Sequence, residues 1–114
     1  MMITHSSEQK LEKRPNMRDG NGVAELRALL PELPAAVRLF SRIELAPGCS
    51  IGYHVHENET ELFYFVSGSG RASDDGTWIG IAAGDAMATS SGHGHSVENT
   101  GSEPLVILAA IIKD

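Results

Sequence analysis

One cysteine, no basic run and no long apolar stretch are what this chain of 114 residues has least of. The lone Cys49 cannot close an internal disulfide, which excludes a small scaffold held by disulfides and fits a reducing compartment. Nine basic against fifteen acidic residues leave a net charge of −6. With no basic stripe, a nucleic-acid partner is not expected. The longest apolar run, Leu105–Ile112, is too short to span a bilayer and reads as a buried strand. The first twenty residues have no apolar segment of the kind a secretory signal needs. Together these absences lead us to expect a cytoplasmic protein with no membrane partner. No internal repeat and no low-complexity segment interrupts the chain.

The remaining composition is that of an ordinary globular domain, 41% hydrophobic and 21% charged, long enough for one core and not two. Residues 1–20 are polar and unpatterned and read as an N-terminal arm, with His5 solvated. Residues 21–114 read as one domain. Val23–Leu30 fits a helical turn or a strand, and Pro31 and Pro34 end it.

From Ala36 onward the pattern is β. Val37, Leu39, Ser41, Ile43 and Leu45 alternate with Arg38, Phe40, Arg42 and Glu44, and Pro47-Gly48 stops the run. Short strands follow at Ile51–His56, Glu61–Ser67, Thr77–Ile81, Ala86–Thr89, His95–Asn99 and Leu105–Ile112. Asp74-Asp75-Gly76 is a hairpin signal. Many short strands at regular spacing predict an all-β closed barrel or a two-sheet jelly roll.

His54-Val55-His56 is the main chemical signal. Strand side chains alternate with a period of two, so this pair aims two imidazoles at one point. Glu61 opens the next strand, and a chain that doubles back would bring it beside the pair. His95 is remote in sequence and has to be delivered by the fold. Alternation also predicts Ser50 and Gly52 beside His54, and Phe63 and Phe65 beside Glu61. Tyr53, Val55 and Tyr64 are then expected to face away, with Cys49 a bystander.

The spacing around these residues resembles the cupin family. Gly48, His54, His56, Glu61 and Gly68 fit its first motif. Gly84, Gly92, His95 and Asn99 fit its second, with Ser90 where the pattern has proline. The match is to the compact single-domain bacterial cupins (RmlC-like, cupin_2 type). It implies the double-stranded β-helix, a jelly-roll barrel, with a metal held inside by His54, His56, Glu61 and His95. Serine for proline at position 90 should loosen the turn without removing a ligand.

Three imidazoles and a carboxylate suit a divalent transition metal (Mn, Fe, Co, Ni or Zn), and affinity alone does not choose among them. A six-coordinate ion would keep two positions for water, O₂ or substrate. On alternation, His93 faces the same lumen as His95 and is a candidate proton shuttle or fifth ligand; otherwise it sits at the pocket rim. The resemblance implies a metal-dependent enzyme on a small organic molecule, an oxygenase or a decarboxylase. The alternative is a non-catalytic binding or sensing cupin. Oxalate decarboxylases of the family carry an arginine three residues before the first ligand histidine, and here that position is Ile51. Arg38, Arg42 and Arg71 are the nearby cations, with Arg38 and Arg42 expected to face solvent. Small cupins are commonly dimers, so a homodimer is expected, with Val23–Leu30 the candidate for strand exchange.

Overall fold

The computed structural model describes residues 2–114. Its strands are β1 (Leu11–Pro15), β2 (Val23–Ala28), β3 (Val37–Leu45), β4 (Ser50–Val55), β5 (Glu59–Ser67), β6 (Ser69–Asp74), β7 (Thr77–Ala82), β8 (Ala86–Thr89), β9 (Gly94–Glu98) and β10 (Leu105–Lys113). They form a six-stranded sheet in the order β1-β2-β3-β10-β5-β8 and a four-stranded sheet in the order β4-β9-β6-β7. Every pairing is antiparallel. Non-consecutive strands lie side by side in both sheets, and the fold is the jelly-roll barrel.

The core lies between the sheets. Ile43, Leu45, Phe65, Leu105 and Ile107 supply it from the large sheet, and Ile51, Ala72 and Val97 from the small one. On β5 the alternation is regular: Glu61, Phe63 and Phe65 are buried, while Leu62, Tyr64 and Val66 are exposed. The hairpin between β6 and β7 turns at Asp75 (φ 50°) and Gly76 (φ 94°). Two positive φ values in a row are what a two-residue turn matched to strand twist requires.

At the N-terminus one expectation changes and one open alternative is decided. The segment read as an unpatterned arm contains β1, which pairs with β2 from Leu11↔Arg27 to Pro15↔Val23. Polar, exposed edge strands carry little hydrophobic signal, so the pairing was not visible in the residues. Val23–Ala28 is a strand and not a helical turn, and it pairs with β3 of its own chain.

Three β-bulges interrupt the strand register, one at Val66 of β5 and two beside the His/Glu cluster. On β4 the register against β9 slips between Ile51 (opposite Val97) and His54 (opposite His95), which adds one residue to β4. Ile51 and His54 therefore both turn inward although they are three positions apart. On β3, Val37 and Leu39 face the consecutive residues Ile112 and Ile111 of β10, so Arg38 is the extra residue. A bulge re-aims side chains, and bulges are common next to functional sites.

Candidate metal centre

His95 is delivered by strand pairing, since β9 lies against β4 with His95 directly opposite His54. His56 follows the end of β4, and Glu61 reaches across from β5 in the other sheet. Their ligand atoms lie within 4.8 Å of one another. His95 Nε2 is 3.1 Å from His54 Nε2, 3.2 Å from His56 Nε2 and 2.9 Å from Glu61 Oε1. His56 Nε2 is 3.0 Å from the same oxygen. His56, Glu61 and His95 are buried and His54 half-buried.

The opposite edge of each ring is held in place. His54 Nδ1 donates to the Gly52 carbonyl at 2.8 Å. His56 Nδ1 donates to Glu59 Oε2 at 2.6 Å. His95 Nδ1 shares a 2.8 Å hydrogen bond with the Thr89 hydroxyl, and its ring stacks on Phe63 at 5.0 Å. A carbonyl or carboxylate partner at Nδ1 fixes the proton there and leaves Nε2 to face the centre as an electron-pair donor. Burial also pushes the His54 pKa down to about 4, so this ring is neutral near pH 7.

These residues fit a cation. Imidazole nitrogens this close need a proton or a cation between them, and His54 Nε2 has no proton to offer. Two ligand atoms at right angles on bonds of about 2.1 Å stand about 3.0 Å apart, which is the spacing found here. The N/O donor set, without a thiolate, suits first-row divalent ions.

Glu59 was not singled out by its sequence position. It takes a two-pronged ion pair from Arg38, Nε to Oε1 and Nη2 to Oε2, both at 2.7 Å. The Arg38 hydrogen bonds, with help from His56, hold the Glu59 carboxyl down at about 2. The sequence signal for Glu59 was its period-two relation to Glu61, which puts both carboxylates on one face of β5.

A cavity of about 60 Å³ opens on the cluster. Ile43, Ile51 and Phe63 form an apolar wall, and Arg14, Met17, Arg18 and Arg38 line the rest. Arg38 is exposed, as expected, yet it also lines the cavity, at the bulge on β3. Arg42 pairs with Glu44 (3.4 Å), and Arg71 pairs with Glu98 while lying 4.0 Å over the Trp78 ring. Neither lines the cavity. Ile51 does, so the position that carries arginine in oxalate decarboxylases is here part of the apolar wall.

His93 departs from the alternation argument. It precedes β9, in the turn that begins at Ser90, and its exposed ring pairs with Asp75 in the β6–β7 hairpin. That carboxylate raises the His93 pKa. The ring does not line the cavity. Tyr53, Val55 and Tyr64 are exposed, as alternation had them. Ser50 belongs to the contact with the N-terminal segment, its Oγ accepting from Asn21 N–H at 2.9 Å.

Arg14, Met17 and Arg18 come from the segment read as an arm. Residues 16–22 lie as a strap along β4. Gly20 and Gly52 permit the approach: a Cβ on Gly52 would stand 1.9 Å from the Arg18 carbonyl oxygen, and one on Gly20 would stand 2.3 Å from that of Ser50. The strap is strained. Asn16, Arg18 and Asp19 have φ of 49°, 54° and 64°, and each such residue costs on the order of 1 kcal/mol.

The Cupin domain family model matches residues 41–111. The "Oxalate-binding protein" of Thermotoga maritima is 44% identical over 113 residues, covering 97% of this chain and 93% of that protein. A crystal structure of a predicted oxalate decarboxylase from Thermotoga maritima superposes with a TM-score of 0.94 at 43% identity, covering 99% of this chain and all of that one. An RmlC-like cupin from Shewanella frigidimarina shares the fold alone, with a TM-score of 0.81 at 12% identity, covering 100% of this chain and 92% of that one. With its jelly roll, its His/Glu cluster and this match across most of its length, the chain belongs to the cupin family.

Proposed function

We propose that this cupin binds a small dicarboxylate, oxalate or a close analogue, at a divalent cation held by His54, His56, Glu61 and His95. The observation that carries the reading is the set of three arginines, Arg14, Arg18 and Arg38, around a small cavity that opens on the cluster. Burying a dianion without partners of opposite charge is costly, and guanidinium groups match carboxylates in shape and charge. A cation bound there would supply Lewis-acid attraction for carboxylate oxygens. The chain's own side chains would do the rest: arginines orient the anion, and Ile43, Ile51 and Phe63 exclude water. The small cavity favours a ligand of few heavy atoms. The names of the Thermotoga relatives, an oxalate-binding protein and a predicted oxalate decarboxylase, support the same ligand class.

Binding without turnover fits the cavity better than catalysis. Apart from the four ligands, the only ionisable groups lining it among the described residues are arginines, which do not exchange protons near pH 7. Glu59 lies behind His56 and is engaged by Arg38, and His93 is turned toward Asp75. A general acid or base for oxygenase or decarboxylase chemistry therefore has no side chain to supply it. The test is calorimetric titration of oxalate into metal-loaded protein, with formate and CO₂ assayed in the same samples. One oxalate per chain without product supports the reading, product formation restores the enzyme, and absence of oxalate binding removes the ligand class.

A homodimer belongs to the same proposal. Leu62, Tyr64, Val66 and Ile112 leave exposed apolar surface on the large sheet, and contiguous apolar surface of this kind marks interaction sites. Light scattering is expected to return twice the chain mass, and a monomer mass would contradict it.

A further inference from the structure

Arg14 and Arg38 both line the cavity, and both are already paired. Arg14 gives its Nε and Nη2 to the Glu12 carboxylate at 2.8 and 3.2 Å. Arg38 gives its Nε and Nη2 to Glu59, both at 2.7 Å. Arg18 has no carboxylate partner among the described residues. Arg18 lines the same cavity as His54, His56 and Glu61.

We infer that Arg18, presented at the cavity mouth by the strained strap of residues 16–22, is the residue that selects a dianion for this site. The inference rests on the dicarboxylate reading and deepens it. The first support is charge balance. Glu12 compensates Arg14, Glu59 compensates Arg38, and Glu61 leaves one positive charge on a divalent ion. Arg18 adds a second. Two uncompensated positive charges match a dicarboxylate and overcharge the site for a monocarboxylate.

The second support is the way the strap is built. Left-handed backbone at three residues other than glycine, in a stretch of four, persists only where the surroundings impose it. Here they do. Asn16 Nδ2 donates to the Gly20 carbonyl at 3.1 Å, and Asn16 N–H to the Gly22 carbonyl at 2.8 Å. Ser50 N–H donates to the Asn21 carbonyl at 2.9 Å. The Gly20–Gly52 contact brings the Arg18 backbone against β4, the strand that carries His54. An inward side chain at position 51 is here an isoleucine, and the cation is supplied from the strap instead.

The experiment uses the full chain loaded with one divalent metal. Oxalate, acetate and neutral oxamide are titrated calorimetrically into the wild type and into Arg18→Gln, Arg18→Lys and Arg71→Gln. Losing a charge-assisted hydrogen bond lowers affinity about ten- to a hundredfold, and that loss is expected for oxalate with Arg18→Gln. Metal content and oxamide binding should be unchanged. Arg18→Lys should recover part of the oxalate affinity. Arg71→Gln, which removes the same charge outside the cavity, should retain all of it. Oxalate affinity within twofold of wild type in Arg18→Gln would overturn the inference and leave the dicarboxylate reading intact. A wild type that binds no oxalate would overturn both.

Discussion

The ligand cluster and the strap face one cavity but are held there in different ways. The cluster side chains stand on or next to β4, β5 and β9, buried or half-buried, and each of the three imidazoles has a hydrogen bond at its outer edge. Arg18 is exposed, sits on left-handed backbone and depends on a contact between two glycines. Removing a buried ligand attacks one specific bond set. Moving the strap should leave that set alone and change what the site accepts. Metal retention and anion recognition are therefore expected to separate by mutation.

The sharpest test of that separation is at the cluster. His95→Ala should abolish stoichiometric metal, read by elemental analysis of the purified protein, and oxalate binding should disappear with it. Retained metal at wild-type levels would mean that the cluster is only a hydrogen-bonded core.

Glu59→Gln comes next. It removes the charge that orients His56 and anchors Arg38. Partners of this type typically account for about ten- to a hundredfold in metal affinity, and a competition titration with a chelator should show a loss in that range with the fold intact. An unchanged metal affinity would reduce Glu59 to a surface ion pair.

A milder change is expected from Gly20→Ala, because its Cβ would stand 2.3 Å from the Ser50 carbonyl oxygen and push the strap off β4. Metal content should hold while oxalate affinity falls about tenfold. Loss of the metal as well would show that strap and cluster are one unit.

The pH dependence of the metal-free protein is a smaller effect. Folded His54 stays neutral down to about pH 4, whereas in the unfolded chain it takes a proton below about 6.5. In that window the unfolded state binds more protons, so stability should fall as pH drops from 6.5 to 4. The expected loss is on the order of 1 kcal/mol, discounted for the ring's partial exposure. Urea denaturation of wild type and His54→Gln would show it as a steeper acid slope in the wild type, and equal slopes would contradict it.

The smallest effect is expected at His93. His93→Ala should leave metal content and oxalate affinity unchanged in the same assays, because its ring is paired with Asp75 outside the cavity. A loss of either would place His93 back in the site.

The same division explains what could be read from residues alone. The jelly roll and the meeting of His54, His56 and Glu61 were legible because period-two alternation and turn glycines are local signals. His95 needed the family spacing, since nothing local ties it to His54. The cavity-lining positions of Arg38 and Ile51 were not readable from alternation, because each lies next to a bulge, where one extra residue reverses the pattern and no adjacent residue announces it. His93 was misplaced by extending a strand pattern one turn too far. Arg18 was out of reach: its position depends on Gly52, far along the chain, and on a backbone conformation that a polar segment does not advertise.

On the proposed reading, the His/Glu cluster and its arginines form one metal-dependent anion site. Titrating oxalate into the same preparation before and after removal of the metal with a chelator tests it most directly. One oxalate bound per chain in the metal-loaded protein and none after stripping, with binding restored on reloading, is the expected result. Equal oxalate binding with and without metal, or none in either state, would contradict it.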